Sequence, residues 1–174
     1  QDIVPRLAAD ADYAVRRAEI EAFNRTGGMI RRGIALTPVK FGISFNTTFL
    51  NQAGALVHVY SDGSVHLNHG GTEMGQGLNT KVAQIVAHEF QIDFGSVKIT
   101  ATNTGKVPNT SATAASSGTD MNGMAAQAAA RTIKTRMRDF LAEQHQCVPD
   151  SVTFANGEVR AGAVQMPFAE AVQA

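Results

Sequence analysis

The segment His69–Gly77 concentrates side chains that could do chemistry: His-Gly-Gly-Thr-Glu-Met-Gly-Gln-Gly. Glycines at 70, 71, 75 and 77 interleave with Thr72, Glu73 and Gln76, and an apolar-periodic run follows at Leu78, Val82, Ile85, Val86 and Phe90. This pattern reads as a glycine-rich loop opening into a helix. Glycines let the backbone approach a ligand closely, and the first helical N–H groups point at whatever sits there. An anion, usually a phosphate, suits such a place; a plain structural turn fits the same residues. Neither standard nucleotide signature is present: Lys81 falls too far along for the phosphate-loop lysine, and the dinucleotide fingerprint does not fit. The Gln76 amide offers a donor and an acceptor, or simply faces solvent in the first turn. Glu73 has the chemistry of a general base, but an acid here also complements the helix dipole, which is the reading favoured.

A second group lies in the polar, small-residue stretch Gly105–Gly118. Within it, Thr113-Ala114-Ala115-Ser116-Ser117 combines hydroxyls with side chains small enough to admit a planar ligand. A tight crossover loop would have the same composition. Long ordered loops are often functional. His58, His66, His69 and His88 form no spacing that completes a zinc constellation with an acid. Arg131, Lys134, Arg136 and Arg138 read as a solvated or intersubunit face. A lone strand aromatic such as Phe45 is ordinarily core.

The elements that would position these groups alternate between strand and helix. A helix is expected over Asp12–Arg25, stopped by Thr26-Gly27-Gly28. Strand pieces are expected at Ile34–Thr37 and Phe41–Asn46. Gly54–Tyr60 and Ser64–Asn68 flank Ser61-Asp62-Gly63, a hairpin signal. The loop helix spans Gln76–Gln91, and a strand Val97–Asn103 follows. The longest helix is expected over Asp120–Gln146, with Asp120 as N-cap and Met124, Ala128, Ile133, Met137, Phe140 and Leu141 as its apolar stripe. Ser151–Phe154 and Glu158–Arg160 form a second hairpin, and Pro167–Ala174 starts a helix. The expected fold class is α/β (α+β), a mixed sheet with packed helices.

Three motifs in order carry a family resemblance. They are Lys40-Phe41-Gly42-Ile43-Ser44-Phe45 with Leu50-Asn51-Gln52-Ala53-Gly54-Ala55, the His69–Gly77 loop, and Val107-Pro108-Asn109-Thr110-Ser111-Ala112-Thr113-Ala114-Ala115-Ser116-Ser117-Gly118. Together they resemble the molybdenum subunit of the xanthine dehydrogenase and aldehyde oxidase family, more narrowly its xanthine dehydrogenase branch. The resemblance implies that residues 1–174 are part of a molybdopterin-binding domain, with a leading helix at 12–25, a cofactor-loop core at 31–146 and the start of a following segment at 151–174. It implies cofactor contacts from Met74, Gly75, Gln76, Gly77, Thr113, Ala114, Ala115, Ser116 and Ser117. It implies substrate contacts from Phe45, Ala114 and Ala115, and from Asn46, where the family commonly has threonine.

The activity implied is hydroxylation of hypoxanthine to xanthine and of xanthine to urate with oxygen from water. Electrons would pass through 2Fe–2S clusters to FAD and on to NAD. The family's Gly-Glu-Pro-Pro, Gly-Gly-Phe-Gly-Gly-Lys-Glu and Phe-Arg-Gly-Phe-Gly segments are not found here. No catalytic residue is therefore assigned, and the chain alone is expected to be inactive. Its implied partners are the rest of the molybdenum subunit, iron–sulfur and FAD domains or subunits, and a purine. An aldehyde oxidase and a non-catalytic pterin- or phosphate-binding module are the alternatives.

Composition agrees with a globular piece of such an enzyme. Of 174 residues, 44% are hydrophobic, and fifteen basic side chains balance fifteen acidic ones. No basic patch argues for nucleic acid. No run reaches the ~18 apolar residues of a membrane span, and no apolar signal core opens the chain. The single Cys147 excludes a thiolate cluster within this chain. The expectation is a cytoplasmic protein. A helix signature running to Ala174 without a cap, and a start without methionine, read as a fragment of a longer polypeptide.

Overall fold

The computed structural model describes residues 2–40, 47–106, 110–114 and 116–174. The chain divides into two compact units, 1–41 and 42–174. The first contains helices α1 (Ile3–Asp10) and α2 (Tyr13–Arg25), neither with a buried residue. The sequence reading found α2 but not α1. Gly27 takes a left-handed φ of 80° just after α2, as a helix-stopping glycine does. Asn24 then grips the returning chain: its Oδ1 accepts from Arg32 N–H and its Nδ2 donates to Arg32 O, both at 2.9 Å. The Arg32 guanidinium lies 3.9 Å from the centroid of the Phe23 ring. Ile34–Thr37 is irregular rather than a strand. No described residue pairs with it as a strand, and a strand needs a ladder. The expected strand Phe41–Asn46 lies outside the described residues.

The second unit begins with the expected hairpin. Strand β1 (Ala55–Val59) pairs antiparallel with β2 (Val65–His69). Gly63 supplies φ 81° in the turn, and the Asp62 carboxylate accepts from Ser64 N–H at 2.9 Å. Helix α3 (Leu78–Phe90) then crosses to β3 (Val97–Ile99), which pairs parallel with β2. The helix is needed because parallel neighbours cannot be joined by a tight turn. β3 is shorter than expected. Beyond Ile99 side chains replace the ladder: Thr102 Oγ1 donates to His69 O at 2.8 Å, and Asn68 Nδ2 donates to Thr100 Oγ1.

Helix α4 (Gly118–Gln144) packs on α3 and on the hairpin. Its cap is Ser117, not Asp120. Gly118 and Thr119 continue the helix, and Asp120 sits in the first turn, where its charge suits the dipole. Strands β4 (Thr153–Ala155), β5 (Glu158–Ala161) and β6 (Val164–Pro167) form an antiparallel meander closed by α5 (Phe168–Gln173). The sequence reading missed β6. Gly157 N–H donates to Gln91 O at 2.6 Å, which ties the β4–β5 turn to the C-terminal end of α3.

The core follows the periodicities. Val57, Val65 and Leu67 face inward from the sheet, and Leu78, Val82, Val86 and Phe90 recur every four residues along α3. The α3–α4 seam is close because α4 presents Gly123, Ala126 and Ala130. A Cβ on Gly123 would sit 2.6 Å from Ile85 Cδ1. Glu89 clamps the same seam, accepting from Arg131 Nε at 3.1 Å and lying 3.7 Å from Lys134 Nζ. Lys134 also donates to Glu89 O at 2.6 Å. Half of the charge run expected to be a solvated or intersubunit face is therefore an interhelical brace.

Candidate functional site: a cleft between two helix N-termini

Both chemistry-bearing loops converge on one cleft of about 320 Å³. The glycine loop contributes Met74 and Gln76, and the second loop contributes Thr113, Ala114 and Ser116. Leu78 and Lys81 line it from the first turns of α3, and Gly118 and Thr119 from the start of α4. Thr113 joins the loops directly, its Oγ1 accepting from Thr72 N–H at 2.8 Å. Gly70 and Gly71 let them approach. A Cβ on Gly70 would lie 2.3 Å from Thr110 Oγ1, and one on Gly71 2.5 Å from Leu78 Cδ2.

The loop's own acid fills the anion position foreseen from sequence. The Glu73 carboxylate accepts from Gly75 N–H and Gly77 N–H at 3.0 Å through Oε1, and from Asn79 N–H at 2.9 Å through Oε2. These donors hold its pKa below the usual glutamate range, with the Asn79 N–H contributing most. No other N-cap is needed: Gly77 at the cap has φ 76° and no side chain. The dipole reading of Glu73 is therefore the one the geometry supports, and the N–H groups of Gly75, Gly77 and Asn79 are already engaged.

Gln76 is held as well. Its Oε1 accepts from Met74 N–H at 2.6 Å, and its Nε2 donates to Thr72 O at 2.9 Å. An amide has two donors and two lone pairs, so one of each remains for a ligand. Gly75 has φ 92° and nothing that would meet a Cβ within 4 Å, so this part of the loop is open. Met74 is 67% exposed beside it.

Behind the loop, His69 is buried on the inner face of β2 and accepts from Gly71 N–H through Nδ1 at 3.1 Å. Burial lowers its pKa, against smaller opposing effects from Asn79 and Glu73, and because Nδ1 is an acceptor the ring proton sits on Nε2. His58 and His66 are register partners with stacked rings 6.2 Å apart. Among the described residues no three His, Cys, Asp or Glu side chains cluster as a metal site.

The second loop turns sharply into α4. Ser116 takes φ 58°, and the Ser117 hydroxyl donates back to Ala114 O at 2.8 Å rather than capping the helix. The first-turn N–H groups of α4 thus have no side-chain cap and lie at the cleft wall. Across Ala114 a second cleft of about 290 Å³ opens, lined mostly by carbon from Leu50, Ala112 and Ala114, with Gln52, Ser111 and Ser117 at its edges. Ser111 pins Leu50–Gln52 to this loop: its N–H donates to Gln52 O, and its hydroxyl accepts from Gln52 N–H, both at 2.9 Å.

The structure thus brings together Met74, Gln76, Thr113, Ala114 and Ser116 around the first cleft, with Gly75 and Gly77 in the adjoining loop. Ser117 lines the second cleft instead. Phe45, Asn46 and Ala115 lie outside the described residues. Sequence reasoning missed Lys81 and Thr119 as cleft residues. Helical spacing carried a signal for Lys81, which falls one turn after Gly77. The cleft's donor set fits a planar, heteroatom-rich, anionic ligand: the spare Gln76 donor and acceptor, the Lys81 ammonium, the Thr119 hydroxyl and the uncapped α4 terminus.

Comparison with known proteins agrees. The chain is 52% identical over 132 residues to "Xanthine dehydrogenase/oxidase" of Mus musculus, covering 76% of this chain and 10% of that protein. It is 49% identical over 139 residues to "Xanthine dehydrogenase" of Blastobotrys adeninivorans, covering 80% of this chain and again 10% of the relative. It therefore spans about a tenth of the length of these relatives. The solved structure of reconstituted CO dehydrogenase from Oligotropha carboxidovorans superposes with a TM-score of 0.63 at 26% identity, over 70% of this chain and 15% of that one. Residues 6–174 match the family described as "Molybdopterin cofactor-binding domain", and the chain belongs to that family.

Proposed function

We propose that this chain forms one wall of the molybdopterin site in a complete molybdenum hydroxylase of the xanthine dehydrogenase kind. The observation that carries the proposal is the pairing, on the two sides of Ala114, of a cleft that carries polar groups with one lined almost wholly by carbon. In this reading the pterin lies in the first cleft, against Met74, Gly75, Gln76 and Gly77 on one side and Thr113, Ala114 and Ser116 on the other, and Ala115 and Ser117 contribute from the same loop. A flat heteroaromatic substrate lies beside it, over Ala114 and Ala115, with Phe45 and Asn46 contributing contacts. Lys81 supplies positive charge, and the apolar cleft excludes water from the substrate.

When bound, the molybdenum cofactor supplies the oxygen-transfer and redox chemistry. This chain's residues bind and orient. Gln76 offers its spare N–H and lone pair in one fixed direction, and the small side chain of Ala114 leaves room for a ring on either side. The catalytic base, the iron–sulfur clusters and the FAD belong to other parts of the enzyme. The chain's implied partners are the rest of the molybdenum subunit and those redox domains, acting in the cytoplasm on hypoxanthine and xanthine. No helix among the described residues is long and apolar enough to cross a membrane.

The test is molybdenum and phosphorus per chain, measured on the whole enzyme and on the 174-residue chain alone. The whole enzyme should carry near-stoichiometric amounts, lose them on Gln76→Ala, and turn over xanthine faster than aldehydes. The isolated chain should carry almost none. Xanthine-dependent reduction by the isolated chain would refute the one-wall reading.

A further inference from the structure

We infer that Glu73 is a positioning residue for Gln76, and through it for the cofactor; the inference rests on the reading that the first cleft holds the pterin. Gln76 sits between Gly75 and Gly77, and a single carboxylate oxygen of Glu73 holds the N–H of both neighbours at 3.0 Å. The other oxygen holds Asn79 N–H at 2.9 Å, one helical turn further on. Those contacts fix the backbone on each side of Gln76 to the start of α3. The side-chain amide is separately tied to Met74 N–H and Thr72 O, at 2.6 and 2.9 Å. Thr72 in turn donates to Thr113 at 2.8 Å, so the orientation of Gln76 is referenced to the opposite wall of the cleft.

The arrangement accounts for an exposed acid in a loop that borders a cleft suited to an anionic ligand. Three N–H groups and the positive end of α3 balance its charge. Without Glu73, three backbone donors would turn to water, and the glycine-flanked peptides of Gln76 would regain a wide range of orientations. The remaining donor and acceptor of Gln76 would then no longer be presented in one direction. A carboxylate is required because the contacts need two acceptor atoms. A glutamine would put an NH2 group against the Asn79 N–H, and an aspartate is one methylene too short to reach it.

The test compares Glu73→Gln and Glu73→Ala in the whole enzyme with Gln84→Gly. Gln84 is exposed on the middle of α3, away from the cleft, and its glycine variant weakens the helix without touching the loop. Two quantities are read: pterin retained per chain after dialysis, and amide exchange of the 72–79 segment. Retention should fall roughly 10–100-fold in Glu73→Ala, as when an outer partner of a ligand is removed, and by less in Glu73→Gln. Exchange should accelerate at Asn79 in Glu73→Gln and at Gly75, Gly77 and Asn79 in Glu73→Ala. Gln84→Gly should leave retention unchanged.

Wild-type retention in Glu73→Ala would overturn the inference, as would an equal loss in Gln84→Gly, which would mark the effect as general helix weakening. If Glu73→Ala does not fold, Glu73→Gln decides alone, since it preserves shape and removes one acceptor. Should the wild-type enzyme itself hold no pterin, the cofactor reading fails; the exchange comparison still decides the clamp.

Discussion

Adding one methyl group at Gly71 should unsettle the cleft from behind. A Cβ there would lie 2.5 Å from Leu78 Cδ2, 2.7 Å from Asn122 Nδ2 and 3.1 Å from Asn122 Cγ. Gly71 is not in the left-handed region, so the difficulty is one of space rather than backbone strain. Neither neighbour can retreat to solvent: Leu78 is 1% and Asn122 5% exposed. Overpacking of this kind costs about 1–3 kcal/mol. Leu78→Ala alone should cost about 2–5 kcal/mol. In the double variant the space left by Leu78 receives the new methyl group, so the combined loss should fall short of the sum by at least ~0.5 kcal/mol. Denaturant unfolding of the chain and its three variants gives all the terms. Additivity within ~0.3 kcal/mol would refute the packing argument, because contacting residues must couple. A Gly71→Ala chain as stable as wild type would refute it too.

His69 makes stability depend on pH. Its folded pKa is lowered, so below pH ~6.5 the unfolded chain takes up a proton that the folded chain does not. The stabilisation is therefore present above that pH and declines on acidification, by at most about 1.4 kcal/mol per pH unit from this group. His69→Gln should flatten that slope in denaturation curves measured on both sides of pH ~6.5; an unchanged slope would show that the imidazole is not the group responsible. On α4, Lys134→Ala should cost about 1–2 kcal/mol through its contacts with Glu89, whereas exposed Arg136→Ala should stay within ~0.5 kcal/mol. Equal effects in thermal unfolding would return Lys134 to the solvated face.

Features encoded by neighbouring residues were the ones readable in the sequence. The Ser61-Asp62-Gly63 turn announces its hairpin because its side-chain contact and its positive φ both lie within the turn. The α3 stripe at 78, 82, 86 and 90 shows its helix and its buried face together. Helix α1 escaped notice because Asp2 makes no capping bond and Pro5 sits in its first turn. Strand β6 is four residues long and exists through its pairing with β5, which no local pattern reports. At the site, the glycines of 69–77 and the small residues of 113–117 were legible as loops leading into helices, and both line one cleft. That Glu73 suits the start of α3 was also legible, but not that its carboxylate takes three backbone N–H groups directly. Glu73 lies four residues before the cap and reaches Asn79, six residues on, so ordinary capping preferences do not apply to it. The brace on Glu89 was equally hidden, since it joins residues more than forty positions apart.

The bond between the β4–β5 turn and α3 also bears on how the chain ages. Asn156-Gly157 is the kind of pair at which proteins deamidate: the glycine nitrogen attacks the asparagine side chain, ammonia leaves, and the resulting ring opens to aspartate or isoaspartate. Here that nitrogen donates its proton to Gln91 O at 2.6 Å, while Gly157 O accepts from Phe168 N–H at 2.8 Å. The attacking atom is occupied, and both sides of its peptide unit are held in place. As long as the end of α3 stays formed, the most labile dipeptide of this turn is chemically shielded, and its decay becomes a clock for local opening of that helix end.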